Sequence, residues 1–363
     1  MDAMKISVVH QNDGSDVRIG KICRSLMREN DVDYLGWQKV SVANKASLGG
    51  AKVRLFSYRT GSTRGTPAGL LLFFFWLIFQ LFKTKPQVVY CVNEELTFLL
   101  GAFKRVLGFR LVCDIFDPFA DRNSKSRMHR LYLWIQKLGR RAADALVVTD
   151  EYRFDRIEAE FQRKAVVVGN YPECEVATPR LESFQRKDGY FYIAFVGTLR
   201  ESRGVSHLRA ALKELPWLRI RCAGWLVDKE AREFIEDDRV HYFGVVSAEV
   251  SRGIMAASDL VLCIYDPSIV NNVHASPNKI YDAMSVGKKC LINDEVLISR
   301  FVSDSGLGFL YSYLSPGSLS EVVSKCRNMG REAFEVDNAL IALAMSRYSW
   351  ESAEDELFRA LGL

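Results

Sequence analysis

Two stretches of the chain combine cations, a carboxylate and tight turns, groups that can together hold an anion. In FVGTLRESRGV (195–205), Phe195 and Val196 end an apolar run, and Gly197 lets the backbone turn closely past a ligand. Thr198 follows, and Arg203 comes just before a helical pattern. A guanidinium there can hold phosphate oxygens in a fork while the helix N-terminus adds amide donors. The plainer alternative is a surface arginine after a turn. In ASPNKIYDAMSVGKKCLIND (275–294), Ser276 can cap a helix and Pro277 suits its first turn. Asn278 and Lys279 follow, and a cation in a first turn opposes the helix dipole unless it binds an anion. Asp282 lies one turn on, where a carboxylate can accept both ribose hydroxyls. The alternative is an ordinary capped helix with a solvent-facing aspartate.

A third candidate stretch is VCDIFDPFADR (112–122), with Asp114, Asp117 and Asp121 at the end of an apolar run. Strand ends entering loops are where catalytic groups sit in open α/β sheets. Asp117 is the first choice for a general base and Asp114 the second. The alternative is a loop whose aspartates cap the next helix. Asp16 and Arg18, after the first apolar run, are candidates for contacting an acceptor or the diphosphate. Asn93-Glu94-Glu95 is also at a run end, where helix capping explains it as well.

Short, nearly continuous apolar runs must position these residues. They read KISVV (5–9), VDYLGW (32–37), VRLFSY (53–58), QVVYCV (87–92), FRLVCDI (109–115), ADALVVT (143–149) and AVVVGN (165–170). A first helix begins at about Asp16. A polar stretch, 173–189, interrupts the alternation and reads as a linker. The pattern restarts with YFYIAFVG (190–197), LRIRCAG (218–224), RVHYFG (239–244), DLVLCIY (259–265), KKCLIND (288–294) and GFLY (308–311). Runs of this kind, alternating with helical patterns, predict parallel strands covered on both faces. A length of 363 residues also exceeds what one core usually spans. The expected organisation is one α/β domain over 1–172, a second over 190–339, and a terminal helical stretch, 340–363, packing back on the first.

The segment PAGLLLFFFWLIFQLFK (67–83) is apolar all round and flanked by Arg59, Arg64, Lys83 and Lys85. It is shorter than the roughly 20 residues that span a bilayer. It is either a fully buried helix or one dipping into a membrane surface. The cluster Phe73, Phe74, Phe75 and Trp76 favours the second, with part of the face exposed to lipid and the basic flanks on anionic headgroups.

The bulk composition narrows the classes. A net charge of +5 is mild, and the basic residues are dispersed, so no nucleic-acid partner is expected. Eight cysteines include no CxxC pair, which predicts buried reduced thiols and a cytoplasmic setting. The five histidines form no HExxH, so no metal is expected, and the N-terminus has no signal-peptide core.

In order and spacing these motifs resemble the GT-B glycosyltransferases, particularly the retaining family 4. Pro277, Lys279, Asp282, Met284 and Gly287 resemble its "PxK…E.M..G.P" string, and FVGTLRESRG its "VG.L...KG" turn, with Arg203 at the lysine position. SDLVLCIY (258–265), YSWE (348–351) and SDVRIGKICRSLM (15–27) resemble further family segments, so the resemblance spans nearly the entire chain. It implies an α/β fold of two tandem Rossmann-like, doubly wound parallel sheets facing across a cleft. The second lobe would bind the donor through Gly197, Thr198, Arg203, Ser276, Asn278, Lys279 and Asp282, whose charged groups would converge on the diphosphate. The first would bind the acceptor through Asp16 and Arg18. His274 stands where the family often has a glutamate close to the donor sugar, and so joins Asp117 and Asp114 as a catalytic candidate. Thr198 stands where the family often has arginine.

The implied activity is transfer of a hexose from a nucleoside-diphosphate sugar, as co-substrate and without a resident cofactor. A retaining outcome is the family's, with inversion open. The acceptor expected is a lipid-linked saccharide in surface polysaccharide or glycan assembly, reached from the cytoplasmic face of the membrane. A sugar-nucleotide epimerase of the same fold, and a catalytically silent sugar-nucleotide-binding partner, are the alternatives.

Overall fold

The computed structural model describes residues 3–39, 48–58, 66–124, 126–173, 187–315 and 317–363. Arg59, Arg64, Cys174 and most of the expected linker lie outside them. The chain divides into two compact units, Met1–Gly169 with Ala353–Leu363, and Asn170–Ser352.

In the first unit, β1 (Lys5–Val9), β2 (Asp31–Gln38), β3 (Lys52–Ser57), β4 (Val88–Val92), β5 (Arg110–Ile115), β6 (Ala145–Val148) and β7 (Ala165–Val167) form one sheet. Its order is β3-β2-β1-β4-β5-β6-β7, and every pairing is parallel. Helices α1 (Val17–Leu26), α2 (Pro67–Thr84), α3 (Glu94–Gly101), α4 (Lys104–Leu107), α5 (Phe119–Arg122), α6 (His129–Ala142), α7 (Glu151–Phe154) and α8 (Ala159–Gln162) connect the strands. β4 is buried at every position, as a strand covered on both faces must be. Asp16 caps α1, accepting from the amides of Arg18 and Ile19.

Local chemistry sets the limits of α2. Thr66 caps it by accepting from Gly69 N at 3.1 Å, Pro67 occupies its first turn, and Lys85 closes it in the left-handed region at φ 47°. Phe73, Leu77 and Leu81 enter the core beneath it, with Val9, Leu35, Trp37, Leu96, Leu100 and Leu111. Phe73 is therefore fully buried, which corrects its expected place on a lipid-facing surface. Its ring stacks on Trp37 at 5.5 Å. Phe74 and Trp76 are half-buried against the same core, and Phe75 is 62% exposed. An all-apolar helix offers no period from which to read its inner side. Among the described residues no helix is long and apolar enough to cross a membrane.

In the second unit, β8 (Phe191–Leu199), β9 (Leu218–Leu226), β10 (Val240–Tyr242), β11 (Leu260–Cys263), β12 (Cys290–Asn293) and β13 (Gly308–Tyr311) pair in the order β10-β9-β8-β11-β12-β13, again all parallel. A 3-10 turn, Glu201–Arg203, precedes α9 (Val205–Glu214). Helices α10 (Lys229–Phe234), α11 (Ala248–Ala256), α12 (Val270–Val273), α13 (Asn278–Ser285), α14 (Ser299–Asp304), α15 (Ser318–Asn328) and α16 (Asn338–Arg347) complete the layers, and α17 (Trp350–Leu361) ends the chain. The return to the first unit falls at Ala353, later than the expected residue 340. The reason is local: Trp350 N donates to Pro172 O at 2.7 Å, and Tyr348 packs on Tyr171 and Tyr281. Glu354 then belongs to the first unit, accepting from Ser25 and Arg28. The seven cysteines within the described residues are free and buried, as their apolar settings predict.

Candidate functional site

The second sheet reverses strand order between β8 and β11, and ligands of open α/β sheets bind at such switch points. The chain leaving β8 and the chain leaving β11 supply the donor-site candidates. Gly197 has φ 101° and Gly224, its register partner on β9, φ 131°, a region only glycine enters freely. A Cβ on Gly224 would fall 1.7 Å from Gly197 O, so no side chain fits at Gly224. A Cβ on Gly197 would lie 4.0 Å from Lys279 Cε, which brings that lysine over the β8 turn.

Arg203 ends the 3-10 turn, and its guanidinium lies 3.9 Å over the ring of Tyr265. Its Nη1 is buried and has no hydrogen-bond partner among the described residues. Lys279 Nζ lies 5.8 Å from the Phe195 ring and 5.9 Å from the Tyr265 ring. Burial pushes the Lys279 ammonium down to about 8; Arg203 adds to this, while the neighbouring Cys263 thiol opposes it. Asp282, half-buried one turn further on, acts on the same Cys263 together with Lys279 and Arg203. The three charged residues singled out from the sequence therefore converge around the end of β11.

Two helix N-termini open beside them. Gly204, at φ 91°, starts α9 without a side-chain cap, and Pro277 starts α13 without one. Pro277 is the cap residue itself and Asn278 the first helical residue, so Ser276 does not cap the helix as expected. The Ser276 Oγ is instead buried without a hydrogen-bond partner among the described residues, an orphaned donor just before the α13 N-terminus. Asn278 receives a hydrogen bond from the side chain of Asn170. His274 is half-buried in the turn between α12 and α13, and Thr198 is exposed beside Trp225 at the β8 rim.

Residues that the sequence reading passed over hold this arrangement. Asn293, fully buried at the end of β12, accepts from Tyr265 N at 2.9 Å and donates to Tyr265 O at 3.1 Å. It thereby fixes the aromatic plate under Arg203. Tyr281 packs on Tyr171, Tyr348 and Phe301 and anchors α13 two residues beyond Lys279. A tyrosine at the end of a β-branched run carries no signal of its own, and Asn293 is linked to it only through the fold.

In the first unit, Asp114 is completely buried and receives Arg18 through Nε at 3.1 Å and Nη2 at 3.3 Å. Tyr90 also donates to it, and Arg18 Nη1 donates to Val168 O at 2.8 Å. Burial raises the Asp114 pKa, and Arg18 acts against that shift. Asp114 and Arg18 thus neutralise each other inside the unit, which corrects their reading as a base and an acceptor contact. Asp16 likewise spends its carboxylate on the α1 amides. Asp117 is the more accessible aspartate of the β5 loop: its side chain is 45% exposed and meets Arg153 at 3.1 Å. Asp121 pairs with Arg156. Glu94, expected to cap α3, instead accepts from Arg140 and from Phe119 N, while Glu95 pairs with Arg122 at 2.8 Å. His10, at the β1 end of the first sheet's switch point, is held down to about 3 by burial, with Lys39 and Arg122 adding to the effect. It stays neutral at physiological pH.

No family model and no curated protein matches the sequence. Solved structures do match in fold. HepE of Anabaena, in complex with UDP and glucose, superposes with a TM-score of 0.76 at 17% identity, covering 99% of each chain. Sucrose-phosphate synthase of Thermosynechococcus elongatus gives 0.76 at 12% identity, again over 99% of each. A putative UDP-N-acetylglucosamine 2-epimerase of Listeria monocytogenes gives 0.66 at 13%, covering 99% of this chain and 96% of that one. With its parallel seven- and six-stranded sheets and its match along the whole length of these enzymes, the chain has the GT-B fold.

Proposed function

We propose that the protein transfers a sugar from a nucleoside-diphosphate sugar to a lipid-linked saccharide at the cytoplasmic face of a membrane. One observation carries the donor assignment. Two half-buried cations, Arg203 and Lys279, with no carboxylate paired to either among the described residues, meet two helix N-termini without side-chain caps at a switch point. An anion of two charges or more offsets the burial of both cations and satisfies the free amides. A sugar diphosphate has that charge, and HepE, of the same fold, was solved with UDP-glucose.

The chemistry follows from charge. As the bond from the anomeric carbon to the diphosphate oxygen breaks, negative charge grows on that phosphate. In this reading Arg203, Lys279 and the α9 and α13 amides stabilise it. In the same reading Asp282 accepts from the ribose hydroxyls, and Ser276 Oγ donates to a phosphate oxygen. The acceptor hydroxyl forms the new bond to the anomeric carbon. In an inverting reaction Asp117 takes its proton; in a retaining one the departing phosphate takes it and Asp117 orients the acceptor. The exposed apolar side of α2 supports a membrane-borne acceptor and a peripheral location.

The test is transfer and binding by Arg203→Ala, Lys279→Ala and Asp282→Ala proteins. Donor turnover should fall by ~100-fold or more in each, as removal of a transition-state donor does elsewhere. Full turnover in all three refutes the site. A sugar-nucleotide epimerase is the second reading, favoured by the fold match to the Listeria protein. Conversion of donor to its epimer with no acceptor added would decide for it.

A further inference from the structure

The first unit leaves one layer of its surface apolar and basic at once. α2 and α3 cover the sheet face formed by Val9, Leu35, Cys91 and Leu111, and Cys113 and Ile115 continue that face toward Ala143 at the end of α6. Among the described residues, side chains on the outer side of this layer are exposed. On α2, Leu71, Phe75, Phe79 and Phe82 recur at helical spacing, and Phe75 and Phe79 are 62% and 59% exposed. Phe74 touches Phe103 at 5.7 Å, just before α4, on which Val106 is 77% exposed. Phe98 on α3 touches Trp134 on α6 at 6.0 Å, and Trp134 is itself 55% exposed, with Leu131 exposed one turn before it.

The segments that carry this outer side, α2, α4 and α6, hold basic and no acidic residues. Acidic groups near them, such as Glu160 beside α6 and Asp31 and Asp33 beside the end of α2, pair with other cations. The sequence holds no Asp or Glu between residues 59 and 93, between 96 and 113, or between 122 and 143. Lys83, Lys85, Arg105, Arg127 and Arg130 are exposed, and none forms an ion pair among the described residues. A soluble surface rarely combines a phenylalanine stripe with unbalanced cations.

We infer that α2, α4 and α6 together form a docking face for an anionic lipid bilayer. The aromatic and aliphatic side chains enter the headgroup boundary and the bordering cations meet lipid phosphates. A second copy of the chain fits less well, because a two-fold contact through this face would set cations against cations. The inference deepens the reading of a membrane-borne acceptor and rests on it for its purpose, but its test is independent of catalysis.

The full chain is mixed with vesicles of phosphatidylcholine alone, or with added phosphatidylglycerol, and bound protein is separated by flotation. Binding should need the anionic lipid and weaken with salt. A single basic residue near such a surface strengthens binding about five-fold, so Arg127→Ala with Arg130→Ala should cost about 25-fold. Phe75→Ser with Phe79→Ser should abolish binding. The melting temperature and UDP-induced thermal shift of both variants should match the parent, which separates lost docking from lost folding. Equal binding to both vesicle types, no binding to either, or a parent dimer that Phe75→Ser with Phe79→Ser dissociates overturns the inference. Absence of donor binding in the parent would sink the transferase reading while leaving the vesicle result intact.

Discussion

Replacing Lys279 by Met should stabilise the protein and cripple donor binding at the same time. The ammonium is held down to about 8 from an ordinary 10.5. A lysine with a lowered folded pKa binds fewer protons folded than unfolded between those values, so stability rises with pH across that window. Below pH 8 the charged form costs the fold up to about 3 kcal/mol, from roughly 2.5 units at 1.36 kcal/mol each. Lys279 keeps some solvent contact, so this is a ceiling. Methionine keeps the stem and removes the charge, so at pH 7 the melting temperature should rise by several degrees. A bound diphosphate would return the ammonium toward its ordinary pKa. UDP affinity should therefore be greatest below pH 8 and fall by up to ~10-fold per pH unit above it. In Lys279→Met it should be weaker by ~10–100-fold, the scale of lost charge-assisted hydrogen bonds. Calorimetric titration of UDP at pH 7 and 9, beside thermal melts at both, measures all of this. A melting temperature lowered by Lys279→Met, with UDP affinity unchanged, would refute the reasoning.

Three further outcomes follow from the packing. Asp114→Asn leaves Arg18 buried against a neutral partner and should cost ~3–5 kcal/mol in denaturant unfolding, with donor affinity at the second unit unchanged. Gly224→Ala places a Cβ 1.7 Å from Gly197 O, so its cost should exceed the ~1–3 kcal/mol of backbone strain alone, read as a lowered melting temperature and lost UDP binding. Asn293→Ala removes both hydrogen bonds that hold Tyr265, costing ~1–3 kcal/mol in thermal unfolding; donor KM should rise more than kcat falls, because the ring under Arg203 loses its fixed position.

The strands were legible because a strand covered on both faces has to be apolar throughout. Each of the six runs read in the second half corresponds to a strand, DLVLCIY to β11 and KKCLIND to β12. Arg203 and Lys279 stand out in the sequence because a cation in a first turn, or after a glycine turn, is unfavourable without an anion, and both lie over the Tyr265 ring in the fold. What stayed hidden depended on distant partners. Asp114 and Arg18 are 96 residues apart, and nothing local to either predicts that they neutralise each other. Phe73 and Phe75 are chemically alike, and only the sheet beneath α2 separates the buried one from the exposed one. Ser276 looked like a cap because caps are local, but Pro277 took that position and left the hydroxyl free for something else.

The contrast between the two units has a physical logic. Arg18 in the first is as deeply buried as a cation can be, yet it has a carboxylate, a tyrosine hydroxyl beside that carboxylate and a backbone carbonyl to satisfy it. Arg203 and Lys279 in the second have aromatic faces and each other's like charge, an arrangement that costs the fold free energy. A fold able to pair Arg18 so completely could have paired them too. Two cations without a carboxylate partner among the described residues, beside two helix N-termini without side-chain caps, are what the proposed diphosphate site rests on.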